Sequence, residues 1–382
     1  MNIVLRHLFL GLVLISTLSV PLSDNTAYDP IVAEILAETQ KERWVNWIAA
    51  LSGDIPVETG SISGFIHTRS SLVMFEPDHN PSAFIYLRDE LNHLGFTEGR
   101  DYEIHTYNFP YSARHAERNW KNLILTFPGT DPELAQERIL LVAHLDSTSE
   151  KETTLAPGAD DNASGAAGLM EAAAVLGDFA FKRTIHLVWF SGEEWSRVGS
   201  EHFVEDYASW LPEIIGVINL DMFAYDADHD RCFEIHTGIM PGSQEIGDLF
   251  AAAIKTYHLN LTFDLIDDET AYTFSDQKPF WDNGVPAVMV YENGFYQEGK
   301  TCGISDPNYR YHTSGDTVTY INQQTGFSIL RSAIAVTAQL AVPIARNSEV
   351  TKSTSVIKMP IQLRPEYSQR SYTDLFIMYG IK

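Results

Sequence analysis

Apolar positions along this chain follow two rhythms. Ile31, Ile35, Leu36, Trp44 and Ile48 recur at three- and four-residue intervals, which predicts one helix from Pro30 ended by Leu51-Ser52-Gly53. A polar connection occupies residues 61–71. After Asn80-Pro81 a second helix carries Ala83, Ile85, Leu87, Leu91 and Leu94, with Gly95 at its end. Residues 101–109 and 119–127 alternate polar and apolar and read as edge strands, the second closed by Pro128-Gly129. From Ile139 the order becomes regular. A continuous apolar run at 139–143 and apolar-rich stretches at 184–190, 214–220, 233–236, 261–266 and 286–290 have strand length. Helical stretches at 164–176, 199–207, 243–257 and 322–342 lie among them. Strands apolar on both sides, interleaved with helices, predict an α/β fold. Its sheet is mixed but mostly parallel, of about eight strands sandwiched between helices. Residues 31–346 read as a single domain. Residues 347–382 mix Ser, Thr and Lys with Val356-Ile357 and Leu375-Phe376-Ile377, and read as a C-terminal extension packed on the sheet edge.

The N-terminus breaks the pattern. Arg6 and His7 precede an apolar run at 8–20, followed by Ser23-Asp24-Asn25. The run is short for a span of ~20 residues. Residues 1–23 therefore read as a signal peptide with no Ala-x-Ala cleavage mark, an uncleaved anchor being the alternative. No cysteine follows the run, so a lipoprotein is not indicated. The expected location is secreted or periplasmic, with no stable membrane association after signal removal. Cys232 and Cys302 form either one disulfide or two buried thiols. With 26 Lys and Arg against 51 Asp and Glu, the net charge of −25 argues against nucleic-acid or anionic-membrane partners. The sequence carries no oligomeric signature.

Candidate chemistry sits at strand ends. Ser191-Gly192-Glu193-Glu194-Trp195 follows the run at 184–190. Two carboxylates there are costly to bury without partners. On extended backbone their side chains diverge, so one suits a metal and the other a reacting water. Ala143-His144-Leu145-Asp146-Ser147 places a histidine after a buried strand, with an aspartate two residues on to orient the imidazole. Gly158-Ala159-Asp160-Asp161-Asn162-Ala163-Ser164-Gly165 opens a helix, and Asn219-Leu220-Asp221 closes a strand. Tyr311-His312-Thr313-Ser314-Gly315-Asp316-Thr317 lies far downstream. Imidazole plus carboxylate is a zinc donor set. The five donors His144, Asp161, Glu194, Asp221 and His312 serve two metals only if one carboxylate bridges. His67, His93, His186 and His236 read as ordinary polar residues.

In this order the segments resemble the secreted di-zinc aminopeptidases of the bacterial leucyl aminopeptidase type, a zinc-exopeptidase family. The likeness spans about residues 31–345 and includes Thr68-Arg69-Ser70 and residues 122–129. It implies a zinc-exopeptidase-like domain with two Zn²⁺ per chain. Asp161 would bridge them, with His144 and Asp221 on one ion and Glu194 and His312 on the other. It further implies Glu193 as general base, Asp146 holding the His144 ring, Tyr311 near the oxyanion, and a cis Asp161–Asn162 peptide. The substrates would be peptides with a free N-terminus. Two departures stand out. Ser196-Arg197-Val198 replaces the family's usual Gly and apolar pair, and Gln277 stands for a histidine in Ser275-Asp276-Gln277-Lys278-Pro279-Phe280, which implies a changed pocket. Three alternatives stay open. One is a single-zinc glutaminyl cyclase of the same fold. Another is a carboxypeptidase-type exopeptidase using Arg197. The last is a binding module on an inactive peptidase fold.

Overall fold

The computed structural model describes residues 27–76, 78–79, 81–109, 119–294 and 301–346. The segments expected to be a signal peptide (1–23) and a C-terminal extension (347–382) lie outside them. Helices α1 (Pro30–Glu38) and α2 (Lys41–Leu51) replace the single helix expected from Pro30. The break falls at Thr39 and Gln40, where the Gln40 N–H donates to Glu171 Oε1 at 2.6 Å. Glu171 also takes both arms of Arg43, from Nε at 2.6 Å and Nη2 at 2.7 Å. This buried tertiary partner ends α1, and no local pattern announces it. A hairpin of β1 (Val57–Glu58) and β2 (Ser63–Gly64) follows, then α3 (Ala83–His93), β3 (Tyr102–Asn108), β4 (Asn119–Phe127) and β5 (Arg138–His144). Next come α4 (Gly165–Leu176), β6 (Phe179–Phe181), β7 (Thr184–Phe190), α5 (Val198–Asp206), β8 (Ile214–Leu220) and β9 (Cys232–His236). The chain continues through α6 (Ser243–Thr256), β10 (Thr262–Ile266), α7 (Gln277–Asp282), β11 (Ala287–Glu292), α8 (Gln323–Ala341) and β12 (Pro343–Arg346).

The main sheet has eight strands in the order β10-β9-β11-β8-β5-β7-β4-β3. β7, β5, β8 and β11 run parallel at its centre, and β9 pairs parallel with β10. β3, β4 and the β9–β11 contact are antiparallel. The expected fold class is the one observed. Alternate residues of β5 feed two cores. Ile139, Leu141 and Ala143 join a large cluster under α1, α2, α3, α4, α6 and α8. Leu140 and Val142 join Phe203 of α5 and Phe280 of α7 on the other face. Burial on both faces explains why these strands read as apolar-rich stretches.

β4 is not an edge strand, contrary to its alternating pattern. Its buried Asn122 and half-buried Thr126 are satisfied. Asn122 Nδ2 contacts His105 Nδ1 at 3.1 Å and donates to the Gly199 carbonyl at 2.9 Å, and Thr126 Oγ1 meets His186 Nδ1 at 3.0 Å.

His186 also fixes its own tautomer. Arg138 Nη1 approaches Nε2 at 2.9 Å and can only donate, so the proton sits on Nδ1. Burial and the Arg138 charge lower its pKa to about 3. The unfolded chain therefore binds a proton at His186 below about pH 6.5 that the folded chain refuses, and stability falls as pH drops from there towards 3. The expected loss from this one group is on the order of 3 kcal/mol at pH 4. Urea unfolding at pH 7 and pH 4 checks it: His186→Gln should remove most of that difference.

Cys232 and Cys302 are joined as a disulfide, resolving the open alternative. The bond ties the start of β9 to the segment that leads towards Tyr311 and His312. Among the described residues no helix is long and apolar enough to cross a membrane.

Candidate metal centre

The parallel strands β5, β7 and β8 deliver their carboxyl ends to one edge of the sheet, where ligands collect in such folds. His144 closes β5, Glu193 and Glu194 follow β7, and Asp221 follows β8. Asp161 arrives on the turn before α4, and His312 on the segment after β11. All five expected donors converge. His144 Nε2 lies 3.2 Å from Asp221 Oδ1 and 3.4 Å from Asp161 Oδ1. His312 Nε2 lies 3.3 Å from Asp161 Oδ2 and 2.9 Å from Glu194 Oε2. Each oxygen of Asp161 thus faces a different histidine. Donors at ~2.0–2.1 Å around a tetrahedral ion stand ~3.3 Å apart, close to these separations. Glu194 Oε1 is buried with no hydrogen-bond partner, as expected of an oxygen reserved for a cation. This mixed imidazole and carboxylate donor set fits zinc.

The two glutamates diverge by a different route from the one expected. Glu193–Trp195 form a 3₁₀ turn rather than extended backbone. Gly192 enters it at φ +73°, where a Cβ would meet the Trp120 ring at 2.6 Å. Glu194 turns into the donor cluster. Glu193 stays beside it, part-exposed, and its N–H donates to Asp146 Oδ1 at 3.3 Å. Burial, with the charges of Asp221, Asp276 and Glu194, pushes the Glu193 carboxyl well up against the pull of His144. Burial and the Asp161 charge raise Glu194 to about 8. Burial lowers and the adjacent Asp161 and Glu194 raise His312, to about 10 on balance. This much like charge crowded together is what bound cations relieve.

Asp146 supports His144 chiefly through its backbone. Its carbonyl lies 3.1 Å from Nδ1, while Oδ1 stands at 3.6 Å, outside hydrogen-bond range. Tyr311 stacks on His312 with ring centres 3.6 Å apart, and burial with the Asp161 charge raises its phenol. The Asp161–Asn162 peptide is cis, as the resemblance implies.

Gln277 is the departure that implies a changed pocket. It is fully buried behind Asp221. Its Nε2 donates to the Tyr272 carbonyl at 2.7 Å, and its Oε1 accepts from Asn219 Nδ2 at 3.2 Å. The same Asn219 donates to Ser275 Oγ at 2.7 Å, and Ser275 donates to Asp221 Oδ2 at 2.5 Å. Ser275 and, through Asn219, Gln277 therefore hold Asp221 in place.

Two residues quoted only within motifs prove central. Asp316 accepts the N–H groups of Asp160 and Asp161 at 3.0–3.2 Å and so presents Asp161. Arg69 is fully buried and spends its guanidinium on backbone. It donates to the carbonyls of Leu145 (2.7 Å), Leu51 (3.0 Å), Pro157 (2.5 Å) and Gly158 (2.9 Å). It thereby clamps the turn after His144 to the turn before Asp161. Burial lowers its pKa only to about 10, so it stays charged at neutral pH. Arg69→Met should cost roughly 3–5 kcal/mol, because four carbonyls lose their donors and nearby carboxylates lose a cation. Urea unfolding measures it. Asn308, which donates to Asp160 Oδ2 at 3.2 Å, had no sequence signal at all.

Residues 122–337 match the model of Peptidase family M28. The chain belongs to that family. Among curated relatives, a protein named "Probable leucine aminopeptidase" from Trichophyton verrucosum is 29% identical over 209 residues, covering 53% of this chain and 52% of the relative. The chain thus spans about half the length of the curated relatives it matches. The fold is shared with the LapA aminopeptidase of Legionella pneumophila (TM-score 0.64, 20% identity, 84% of this chain and 77% of that one). It is shared also with an Acidobacteriales bacterium glutaminyl cyclase (TM-score 0.58, 18% identity, 79% of this chain and 94% of that one).

Proposed function

We propose that this M28 chain is a co-catalytic di-zinc aminopeptidase that removes the N-terminal residue of peptides. The observation that carries the reading is Asp161, with one carboxylate oxygen facing His144 and the other facing His312. His144 and Asp221 would hold one ion, Glu194 and His312 the other, with Asp161 between. When bound, zinc supplies Lewis acidity that activates water near neutral pH and positive charge that opposes the repulsion among these carboxylates. Glu193 takes a proton from the attacking water and returns it to the leaving amine. A carboxyl pushed upward by its surroundings suits that shuttle near neutral pH. Tyr311, kept protonated, donates to the oxyanion. Asp146, Asp316 and Arg69 hold the donors in place. The arrangement favours the peptidase over a single-zinc cyclase because both histidine-centred donor sets are complete.

Export to the periplasm or medium is part of the same proposal. The apolar run at 8–20 supports it, and so does the disulfide, a bond that persists in oxidising compartments.

The test is a panel of aminoacyl anilides alongside their N-acetylated forms, peptides with only the C-terminus accessible, and an N-terminal Gln peptide. Hydrolysis of free-amine anilides alone is expected. Cyclisation of the Gln peptide without anilide hydrolysis would support the cyclase. Release from the C-terminus would support the carboxypeptidase, and no turnover would support a binding module.

A further inference from the structure

Five residues beyond Asp221 the chain reads Asp226-Ala227-Asp228-His229-Asp230-Arg231. One carboxylate oxygen from each of Asp226, Asp228 and Asp230 lies within 4.8 Å of the others. An acidic cluster alone proves little, but Asp226 differs from its neighbours. It is only 3% exposed. Its Oδ2 accepts from Thr325 Oγ1 at 2.5 Å and Asn322 Nδ2 at 2.9 Å, at the start of α8. Its Oδ1 is buried and has no hydrogen-bond partner. A buried carboxylate oxygen without a donor costs free energy unless something positive meets it. Among the described residues no Lys or Arg forms an ion pair with any of the three aspartates. Arg231 turns away, donating to the Asn260 carbonyl and Ser328 Oγ.

We propose that Asp226, Asp228 and Asp230 form a calcium site, separate from the catalytic metal centre. The donors are all carboxylate oxygens, the set a hard cation prefers, with no imidazole or thiolate to favour zinc. Their spacing is that of the first three ligands of calcium-binding loops, whose next position makes a sharp turn. Here Arg231 occupies that position at φ +64°. The chain then enters β9 rather than a helix, so only the first half of such a loop is shared. Asp228 and Asp230 are exposed, leaving an open side for water ligands.

The place of the site gives it a role. Asp306 Oδ2 accepts the N–H groups of Ala227 (2.7 Å) and Asp228 (3.3 Å), linking the loop to the segment that leads to His312. The Cys232–Cys302 disulfide joins the same two segments. Upstream, the Ala224 N–H donates to Asp160 Oδ1 at 2.8 Å, beside Asp161. A calcium ion at Asp226 would brace the loop between these two anchors and stabilise the fold.

The test uses the full, zinc-loaded chain. Equilibrium dialysis against calcium chloride should show one calcium per chain with Kd on the order of 10⁻⁴–10⁻³ M. The melting temperature should rise by roughly 2–6 °C in 10 mM calcium chloride over sodium chloride of equal ionic strength. Asp228→Asn should weaken binding at least about tenfold, and Asp228→Asn/Asp230→Asn should abolish both binding and the shift. Glu194→Gln, altered only in the catalytic centre, should still bind calcium as the parent does. No calcium retained by the parent, equal retention by the double variant, or magnesium binding as tight as calcium would overturn the proposal.

Discussion

Glu193→Gln is expected to lower kcat roughly 10²–10⁴-fold, the usual worth of a positioned general acid–base, while leaving the zinc content unchanged. Gln keeps the size of the side chain and loses only the proton acceptor. Glu193 makes none of the close approaches that bring His144, Asp161, Asp221, Glu194 and His312 together. KM should move little, because the lost interaction belongs to the transition state. The upward push on Glu193 adds a second readout: the acidic limb of the kcat/KM profile should vanish with the carboxylate. Steady-state kinetics on an aminoacyl anilide, with elemental analysis of the same preparation, measures both. A variant that lost metal along with activity would place Glu193 among the ligands instead.

Removing the metals should abolish activity and destabilise the protein in a pH-dependent way. In the metal-free fold, Glu194 is raised to about 8 and Asp276 to about 7 by burial, partly offset by neighbouring His and Ser contacts. Between about pH 4.5 and 8 the folded state holds protons on these carboxyls that the unfolded chain has released. Stability therefore falls as pH rises through that window. His312, raised to about 10, has the same sign: its contribution is complete below about pH 6.5 and is lost as pH climbs towards 10. His186 runs the opposite way and acts only below about 6.5. The melting temperature of chelator-treated protein should thus drop between pH 6.5 and 8, and the gap to the zinc-loaded protein should widen. Differential scanning fluorimetry at pH 6.5, 7.2 and 8 reads it. A gap that narrows with pH would show that the carboxylate cluster is not what the ions stabilise.

The sheet was legible because its central strands are buried on both faces and are therefore rich in Val, Ile and Leu. The donors were legible because each sits within a short motif, His144, Asp161, Glu194 and Asp221 at strand or helix ends and His312 in a loop. What escaped depends on partners distant in sequence. Glu171, 131 residues from Gln40, ends α1. His105, Gly199 and His186 satisfy Asn122 and Thr126 of β4 and allow it inside the sheet. The link from Gln277 to Asp221 runs through Asn219 and Ser275, residues 58 and 2 positions away, and no local pattern announces it. Arg69 could be read as part of a motif, but its role lies in four backbone carbonyls, groups every residue has and no sequence distinguishes. The divergence of Glu193 and Glu194 was anticipated in outcome and mistaken in cause, because a turn entered through Gly192 replaces the extended backbone.

The central claim is that Asp161 joins two metal positions. Elemental analysis of the purified chain after zinc saturation and desalting tests it most directly, with Asp161→Asn run in parallel. The account predicts two zinc ions per parent chain and a marked loss of zinc from the variant. One zinc per parent chain, or two retained by Asp161→Asn, would contradict it.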